Sequence, residues 1–142
     1  MDVGHLPPSL AALGALLERA VRETLAAQGT EDAELSVALL DDLGITALNR
    51  EHLGHDEPTD VISFALHGAG EPPLGDVYVG VEQARRQAAE AGVPEAEELV
   101  RLAVHGTLHV LGWDHPVAGD ERVRSPMWDR QESLVAQVMR SG

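Results

Sequence analysis

The chain contains 142 residues, of which 24 are acidic, 10 are basic and none is cysteine, so its formal net charge at pH 7 is −14. The lack of cysteine excludes disulfides, thiolate metal sites and cysteine nucleophiles, and the negative charge opposes nonspecific binding to anionic membranes and nucleic acids. The length and the 44% content of hydrophobic residues predict a single globular domain over residues 1–142. No stretch of the sequence has the length of an apolar membrane span or the pattern of a signal peptide, which predicts a cytoplasmic protein with no membrane partner.

The sequence is predicted to form several helices and a few strands. Helices are indicated by apolar residues at three- or four-residue spacing, and strands by short aliphatic stretches between turn residues. In chain order, the patterns predict a helix from Ser9 to about Gly29, a strand over 34–40, a short helix from Asp41 or Asp42 to Leu53, two strands over 60–66 and 74–81 that can form a hairpin, and helices over 81–91, from Pro94 to about Leu111, and from Pro126 to about Met139. This order indicates an α+β fold with helices packed on one small sheet.

The segment VHGTLHVLGWDH, residues 104–115, carries three histidines. His105 and His109 lie four residues apart on a predicted helix, so both rings project from one face and can bind the same metal ion. Gly112 is expected to end that helix and to let the chain reverse, which can bring His115 to the same ion. Three imidazoles with one open coordination position are the arrangement that a catalytic zinc requires. The sequence therefore predicts one zinc ion on a metal-binding helix in the C-terminal half.

The same spacing also matches a class of zinc peptidases. The three histidines and the glycine agree with the metzincin pattern H-E-x-x-H-x-x-G-x-x-H. The glutamate that acts as general base in those peptidases is replaced by Gly106 in this chain. A metzincin-like peptidase is therefore an alternative that would need a base from elsewhere in the protein.

Beyond the histidines, HGTLHVLGWDH resembles the H-G-x-L-H-L-x-G-Y-D-H signature of the YbeY-type endoribonucleases, also called ribosomal RNA maturation factors. A second block, LNREHLGHDEPTDVISF at residues 48–64, is similar to the family's N-x-x-x-R-G-x-D-x-x-T-D-V-L-S-F segment, and LGDVYV resembles its L-G-D-I-x-I strand. Met127, Gln131 and Glu132 fall near the C-terminal pattern of the family. The resemblance covers nearly all of the chain from Glu34 onward.

The resemblance implies a small mixed sheet, a zinc ion held by His105, His109 and His115, and cleavage of single-stranded RNA during ribosomal RNA processing, including maturation of the 3′ end of 16S rRNA and ribosome quality control. The implied partners are ribosomal RNA, single-stranded RNA and the small ribosomal subunit or its proteins. Two positions depart from the family, because Leu53 stands where an arginine is common and His55 where a lysine often follows. An alternative is a ribosome-assembly module in which zinc is structural and catalysis is weak.

Further site residues are predicted from the chemistry of RNA cleavage. Zinc can lower the pKa of water for attack on a phosphodiester, and cations must stabilise the charge that gathers in the transition state. Arg50, one helical turn before Leu53, is a candidate for such a cation, with a solvated helix arginine as the alternative. Asp114 can act in catalysis by accepting a proton or by orienting a metal-binding histidine. Ser63 is predicted to contact the substrate in a groove that Asp60 can also shape, although a helix-cap or strand-edge role for Asp60 is equally consistent.

Trp113 takes the family's tyrosine position between two predicted ligands. Its indole can stack on an RNA base, and packing against the helix end is the alternative. Asp76, in the LGD segment, is expected to be a turn residue without a role in the site.

Overall fold

The computed structural model of the chain describes residues 8–30, 32–113 and 125–141. These residues form, in order, helix α1 (Pro8–Ala27), strand β1 (Glu34–Leu40), helix α2 (Asp42–Leu53), strands β2 (Val61–Ala65) and β3 (Leu74–Gly80), and helices α3 (Val81–Ala91), α4 (Glu95–Val110) and α5 (Pro126–Ser141). The predicted α+β class and the order of elements are confirmed, and every element end lies within two residues of its predicted position. None of the described helices is long and apolar enough to cross a lipid bilayer.

The three strands form one mixed sheet with the order β1–β3–β2. Strand β1 runs parallel to β3 with Val37 opposite Val77, and β2 runs antiparallel to β3 with Ser63 opposite Val77. The predicted hairpin pairing of the last two strands is therefore confirmed. Among the described strands β2 pairs only with β3, so β2 is an edge strand.

Short-range contacts explain where the helix before the edge strand begins and ends. The Asp41 side chain accepts a hydrogen bond of 2.8 Å from the backbone N–H of Gly44, which caps the first turn of α2. Gly54 ends the same helix with a φ of 75°, a conformation that side chains with a Cβ disfavour. Asn49, which is buried, donates 2.9 Å to the backbone oxygen of Glu57 and ties the following loop to α2.

Helix α4 lies at the centre of the molecule, where it packs against α1, α3, α5, β2 and β3. Its contact with the sheet is close at Gly106, because a Cβ at this position would come 2.6 Å from Cγ1 of Val77 and 3.2 Å from Cγ2 of Val61. The surrounding core is aliphatic, and Leu99 and Leu108 of α4 are fully buried in it. The glycine thus permits a close approach of the helix to the sheet at this point.

Candidate active site

A groove of about 990 Å³ lies between the edge strand β2, one face of α4 and the beginning of α5. His105 and His109 of α4 line this groove, and so do Ser63 and Asp60 from the β2 side. The structure therefore brings two of the predicted metal ligands and two predicted groove residues to one place.

The two histidine rings lie next to each other because they are one helical turn apart on α4. Their Nε2 atoms are 3.1 Å apart, and their ring centroids are 4.6 Å apart with an interplanar angle of 80°. Two imidazole nitrogens that bind one tetrahedral zinc ion at about 2.05 Å are expected to lie about 3.3 Å from each other. The spacing and chemistry of this pair therefore fit two ligands of a single ion.

The third predicted ligand, His115, and the predicted catalytic residue Asp114 lie outside the described residues. Within the described part of the chain, no group of three or more histidine, aspartate or glutamate side chains is arranged to hold a metal ion. The three-histidine site is thus a prediction for which the structure supplies the geometry of two members.

Beside the histidines, Arg101 is the centre of a cluster of charges between α4 and α5. Its guanidinium donates to Glu132 at 2.8 and 2.9 Å, to Glu98 at 2.9 Å and to Glu97 at 3.1 Å. We call these four residues the Arg101 cluster. The Arg101 side chain is only 18% exposed, so its charge is balanced by carboxylates rather than by water.

The cluster favours the ionised forms of Arg101 and Glu132. Burial of the Glu132 carboxyl raises its pKa, but the hydrogen bonds from Arg101 and Gln131 outweigh burial and hold the pKa below its ordinary value of 4.5. The hydrogen bond to Glu132 in turn raises the pKa of Arg101 above its ordinary value. Among the described residues that line the groove, Arg101 is the sole lysine or arginine, and three glutamates already compensate it.

Gln131 connects the Arg101 cluster to the histidine pair. Its Nε2 donates 3.0 Å to Glu132, and its Oε1 lies 2.7 Å from Nδ1 of His105. The Gln131 side chain is buried, with 3% of it exposed. From the sequence, Gln131 and Glu132 were identified only by their resemblance to a family pattern, and Arg101 was not predicted as a site residue. The available signal was the four-residue spacing that places Arg101, His105 and His109 on one face of the helix.

The candidate cation Arg50 lies apart from the described groove lining. Its Nη1 is 3.1 Å from the Asp56 carboxylate, and both side chains are more than half exposed. This contact supports the solvated-arginine alternative. Leu53, which replaces the family's arginine, does line the groove and is 54% exposed.

Of the two roles considered for Trp113, stacking on a base and packing, its contacts favour packing. Trp113 donates from Nε1 to the Gln28 side chain at 3.1 Å and packs against the hydrophobic core, which supports its packing role. The aromatic side chains that line the described part of the groove are Trp128 of α5 and Phe64 of β2. Sequence analysis missed Trp128 because only the packing of α5 beside α4 brings it to the histidines.

Two aspartates have structural contacts. The Asp60 carboxylate accepts 2.8 Å from the backbone N–H of Val61 at the start of β2, in keeping with the strand-edge alternative. Asp76 lies within β3 and accepts a hydrogen bond from Ser36 across the sheet. The expectation that Asp76 is a turn residue was wrong, because the glycine before it is the tightly packed residue Gly75 of the same strand rather than part of a turn.

The position of Gly106 opposes the peptidase alternative. In the metzincin pattern this position carries the general base, whereas here it faces Val77 and Val61 of the sheet at contact distance. A glutamate side chain could not occupy this space without moving the helix away from the sheet. The described residues therefore offer no metzincin-like base next to the first histidine.

Comparison with known proteins identifies the family. The family model described as endoribonuclease YbeY matches residues 8–139. Endoribonuclease YbeY of Pelotomaculum thermopropionicum is 43% identical over 135 residues, which cover 89% of this chain and 87% of that protein. The corresponding protein of Geobacillus thermodenitrificans is 42% identical over 131 residues, which cover 84% and 82% of the two chains. The solution structure of TM1509 from Thermotoga maritima is similar with a TM-score of 0.61 and 29% identity, covering 95% of this chain and 84% of that one. This chain belongs to the endoribonuclease YbeY family.

Proposed function

We propose that this protein is a zinc-dependent endoribonuclease that cleaves single-stranded RNA during ribosomal RNA processing. Membership of the endoribonuclease YbeY family supports the hydrolysis of RNA. The observation that carries the metal dependence is the pair of Nε2 atoms of His105 and His109, 3.1 Å apart in a groove open to solvent. The proposal includes maturation of the 3′ end of 16S rRNA, a role in ribosome quality control, the small ribosomal subunit as partner and the cytoplasm as location.

The proposed zinc site consists of His105, His109 and His115, with Asp114 beside the third ligand. Zinc supplies Lewis-acid activation of water and stabilises negative charge on a phosphodiester. This contribution is important here because Arg101, the cation of the described groove lining, is compensated by the three glutamates of its cluster. Asp114 is proposed to orient a histidine or to accept a proton.

The apolar part of the groove lining suits unpaired bases. Phe64, Leu53 and Trp128 provide apolar and aromatic surface, and Ser63 adds a hydroxyl that can bind a polar group of the substrate. Stacking on aromatic side chains is the usual way in which proteins bind single-stranded nucleic acids, since bases in a duplex are already stacked on each other. We therefore propose that Trp128 and Phe64 contact bases and that the groove selects single strands.

The central experiment compares metal content and RNA cleavage in the purified protein. Single-stranded and duplex RNA are incubated with the wild type, with and without a chelator and with zinc restored. We expect about one zinc per chain, cleavage of the single strand, loss of cleavage with the chelator and recovery with zinc. Persistent cleavage in the metal-free protein would contradict the proposal.

His109→Ala tests the site itself, with His67→Ala outside the groove as the matched control. We expect His109→Ala to lose zinc and cleavage while its circular dichroism spectrum and melting temperature show a folded protein, because the histidine is at the surface of a well-packed helix. If His109→Ala or chelation unfolds the protein and RNA affinity follows folding alone, the ribosome-assembly module with structural zinc is correct. Zinc-dependent hydrolysis of casein would instead indicate a peptidase.

The ribosomal part of the proposal needs its own substrate. Small ribosomal subunits that carry unprocessed 16S rRNA are incubated with the wild type and with His109→Ala, and the 3′ ends are mapped. We expect the wild type alone to shorten the 3′ end. Cleavage of naked single strands without any processing on the subunits would restrict the proposed function to general RNA hydrolysis.

A further inference from the structure

We infer that Gln131 is a positioning residue, whose side-chain amide determines which ring nitrogen of His105 carries the proton and which one presents its lone pair to the metal. The inference rests on the metal site of the proposed function. It concerns a residue outside the histidine motif, on a different helix and 26 positions away from His105 in the sequence.

The orientation of the Gln131 amide is fixed by the Arg101 cluster. Arg101 is a donor only, and it directs two hydrogen bonds, from Nε and Nη2, to the two oxygens of Glu132. Glu132, ionised, is an acceptor only. Of the two ends of the Gln131 amide, the NH₂ group is the one that can donate to this carboxylate, as it does at 3.0 Å. The amide oxygen must therefore point the other way.

The amide oxygen in turn selects the tautomer of His105. Gln131 Oε1 lies 2.7 Å from Nδ1 of His105 and can only accept, so Nδ1 must carry the proton. A neutral imidazole has one N–H, which leaves the lone pair on Nε2. Nε2 is the atom that faces His109, at 3.1 Å between the two Nε2 atoms. The lone pair is thus presented where the metal is proposed to bind.

Burial makes this arrangement hard for water to replace. Gln131 is 3% exposed, the Arg101 side chain 18% and the Glu132 side chain 30%, so the chain of contacts from Arg101 through Glu132 and Gln131 to His105 is largely shielded from water. Hydrogen bonds of this type to the second nitrogen of a metal-binding histidine raise metal affinity by fixing the ring and its tautomer. A Gln131 that served only to pack α5 on α4 would have no effect on the His105 proton.

The first test reads the tautomer directly. Nitrogen-15 NMR of histidine-labelled, metal-free full-length protein, at a pH where imidazoles are neutral, is expected to show the proton of His105 on Nδ1 in the wild type. Gln131→Met removes the acceptor with little change in size, and we expect His105 to lose this preference. The matched control is Gln137→Met on the same helix, because Gln137 donates to Glu23 at the surface and should leave His105 unchanged.

The second test measures binding of Co²⁺ by visible absorption. We expect Gln131→Met to weaken Co²⁺ binding by about 10- to 100-fold, as is usual when the partner of a ligating histidine is lost. Gln131→Glu keeps an acceptor opposite Nδ1 and should bind Co²⁺ more tightly than Gln131→Met. In Glu132→Gln, the introduced amide can both donate and accept hydrogen bonds, so the Gln131 amide is able to rotate by about 180°. We expect this variant to weaken Co²⁺ binding by a smaller factor than Gln131→Met.

Two outcomes would overturn the inference. One is a wild-type His105 protonated on Nε2, and the other is a folded Gln131→Met protein with unchanged tautomer and Co²⁺ affinity. If Gln131→Met does not fold, the wild-type tautomer and the loss of Co²⁺ affinity in Glu132→Gln relative to the wild type still decide the question. Neither measurement uses RNA, so failure of the inference and failure of the proposed nuclease activity are separate results.

Discussion

Two faces of helix α4 are held in place by different physical effects. On the sheet side, Gly106 allows the helix backbone to approach Val77 so closely that no Cβ fits between them. On the groove side, Arg101, His105 and His109 follow one another at four-residue spacing and form directed polar contacts. One short motif therefore serves two purposes, since its glycine allows the helix to lie close to the sheet and its histidines line the groove. Substitutions on the first face should change stability through packing, and those on the second should act through charge and through the proposed metal chemistry.

The largest effect is expected from Gly106→Val on the sheet side. The new side chain would overlap Val77 and Val61, and we expect the free energy of unfolding to fall by about 3 kcal/mol or more in urea denaturation. Ala89→Val, at an exposed position of α3, is the control and should cost about 0.5 kcal/mol through helix propensity alone. Equal losses in the two variants would show that the close approach at Gly106 is not what constrains the helix.

A smaller and pH-dependent effect is expected from Glu132→Gln on the groove side. Losing the charge-assisted bonds to Arg101 should lower the free energy of unfolding by about 2 kcal/mol at neutral pH. Because the folded-state pKa of Glu132 lies below its ordinary value of 4.5, its stabilisation is present above that value and is lost as the pH falls through the folded pKa.

Urea denaturation at a series of pH values should therefore show the wild type and Glu132→Gln converging below pH 4.5. Glu90→Gln, at an exposed position of α3, is the control and should stay within about 0.5 kcal/mol of the wild type throughout. A constant gap between the wild type and Glu132→Gln down to the lowest pH would mean that the Glu132 carboxylate does not contribute through its charge.

Leu53→Arg should strengthen the proposed RNA chemistry of the groove. The new arginine would add a positive charge without a carboxylate partner to the groove, whose described cation, Arg101, is already paired with glutamates. We therefore expect kcat/KM for single-stranded RNA to rise about fivefold. Leu43→Arg is the matched control, because Leu43 lies on the same helix, is 83% exposed and is not among the described groove residues. The same gain in both variants would point to overall charge rather than to the groove.

The smallest effect is expected from Arg50→Met. Its partner Asp56 is exposed, as is Arg50 itself, so breaking their 3.1 Å contact should change the free energy of unfolding by less than about 0.5 kcal/mol. The same variant assayed on single-stranded RNA separates the two interpretations of Arg50. A loss of cleavage without a loss of stability would favour the cation role over that of a solvated helix residue.

Local patterns predicted much of this molecule. The spacing of apolar residues predicted where the helices lie, and the four-residue spacing of His105 and His109 predicted that their rings lie together. The need for a glycine at position 106 could not be predicted in the same way, because it depends on the distance between α4 and β3. The contact between Gln131 and His105 likewise depends on how α5 packs on α4.

The two tryptophans also show that proximity in sequence does not predict which residues line the groove. Trp113 adjoins the histidine motif in sequence, yet its indole N–H donates a hydrogen bond to Gln28, which follows α1. Trp128 is distant in sequence and lines the groove. Sequence spacing predicted correctly that His105 and His109 lie together, but it did not predict which indole lines the groove, because that depends on side-chain direction and on how α5 packs on α4.

The central place of α4, in contact with three helices and two strands, has a consequence for the proposed metal site. A scaffold assembled by the core is preorganised, so the proposed binding of a cation by His105 and His109 is expected to require little loss of conformational entropy. This differs from small zinc modules, in which the ion itself drives folding. We therefore expect release and replacement of the proposed metal to leave the rest of the molecule in its native shape.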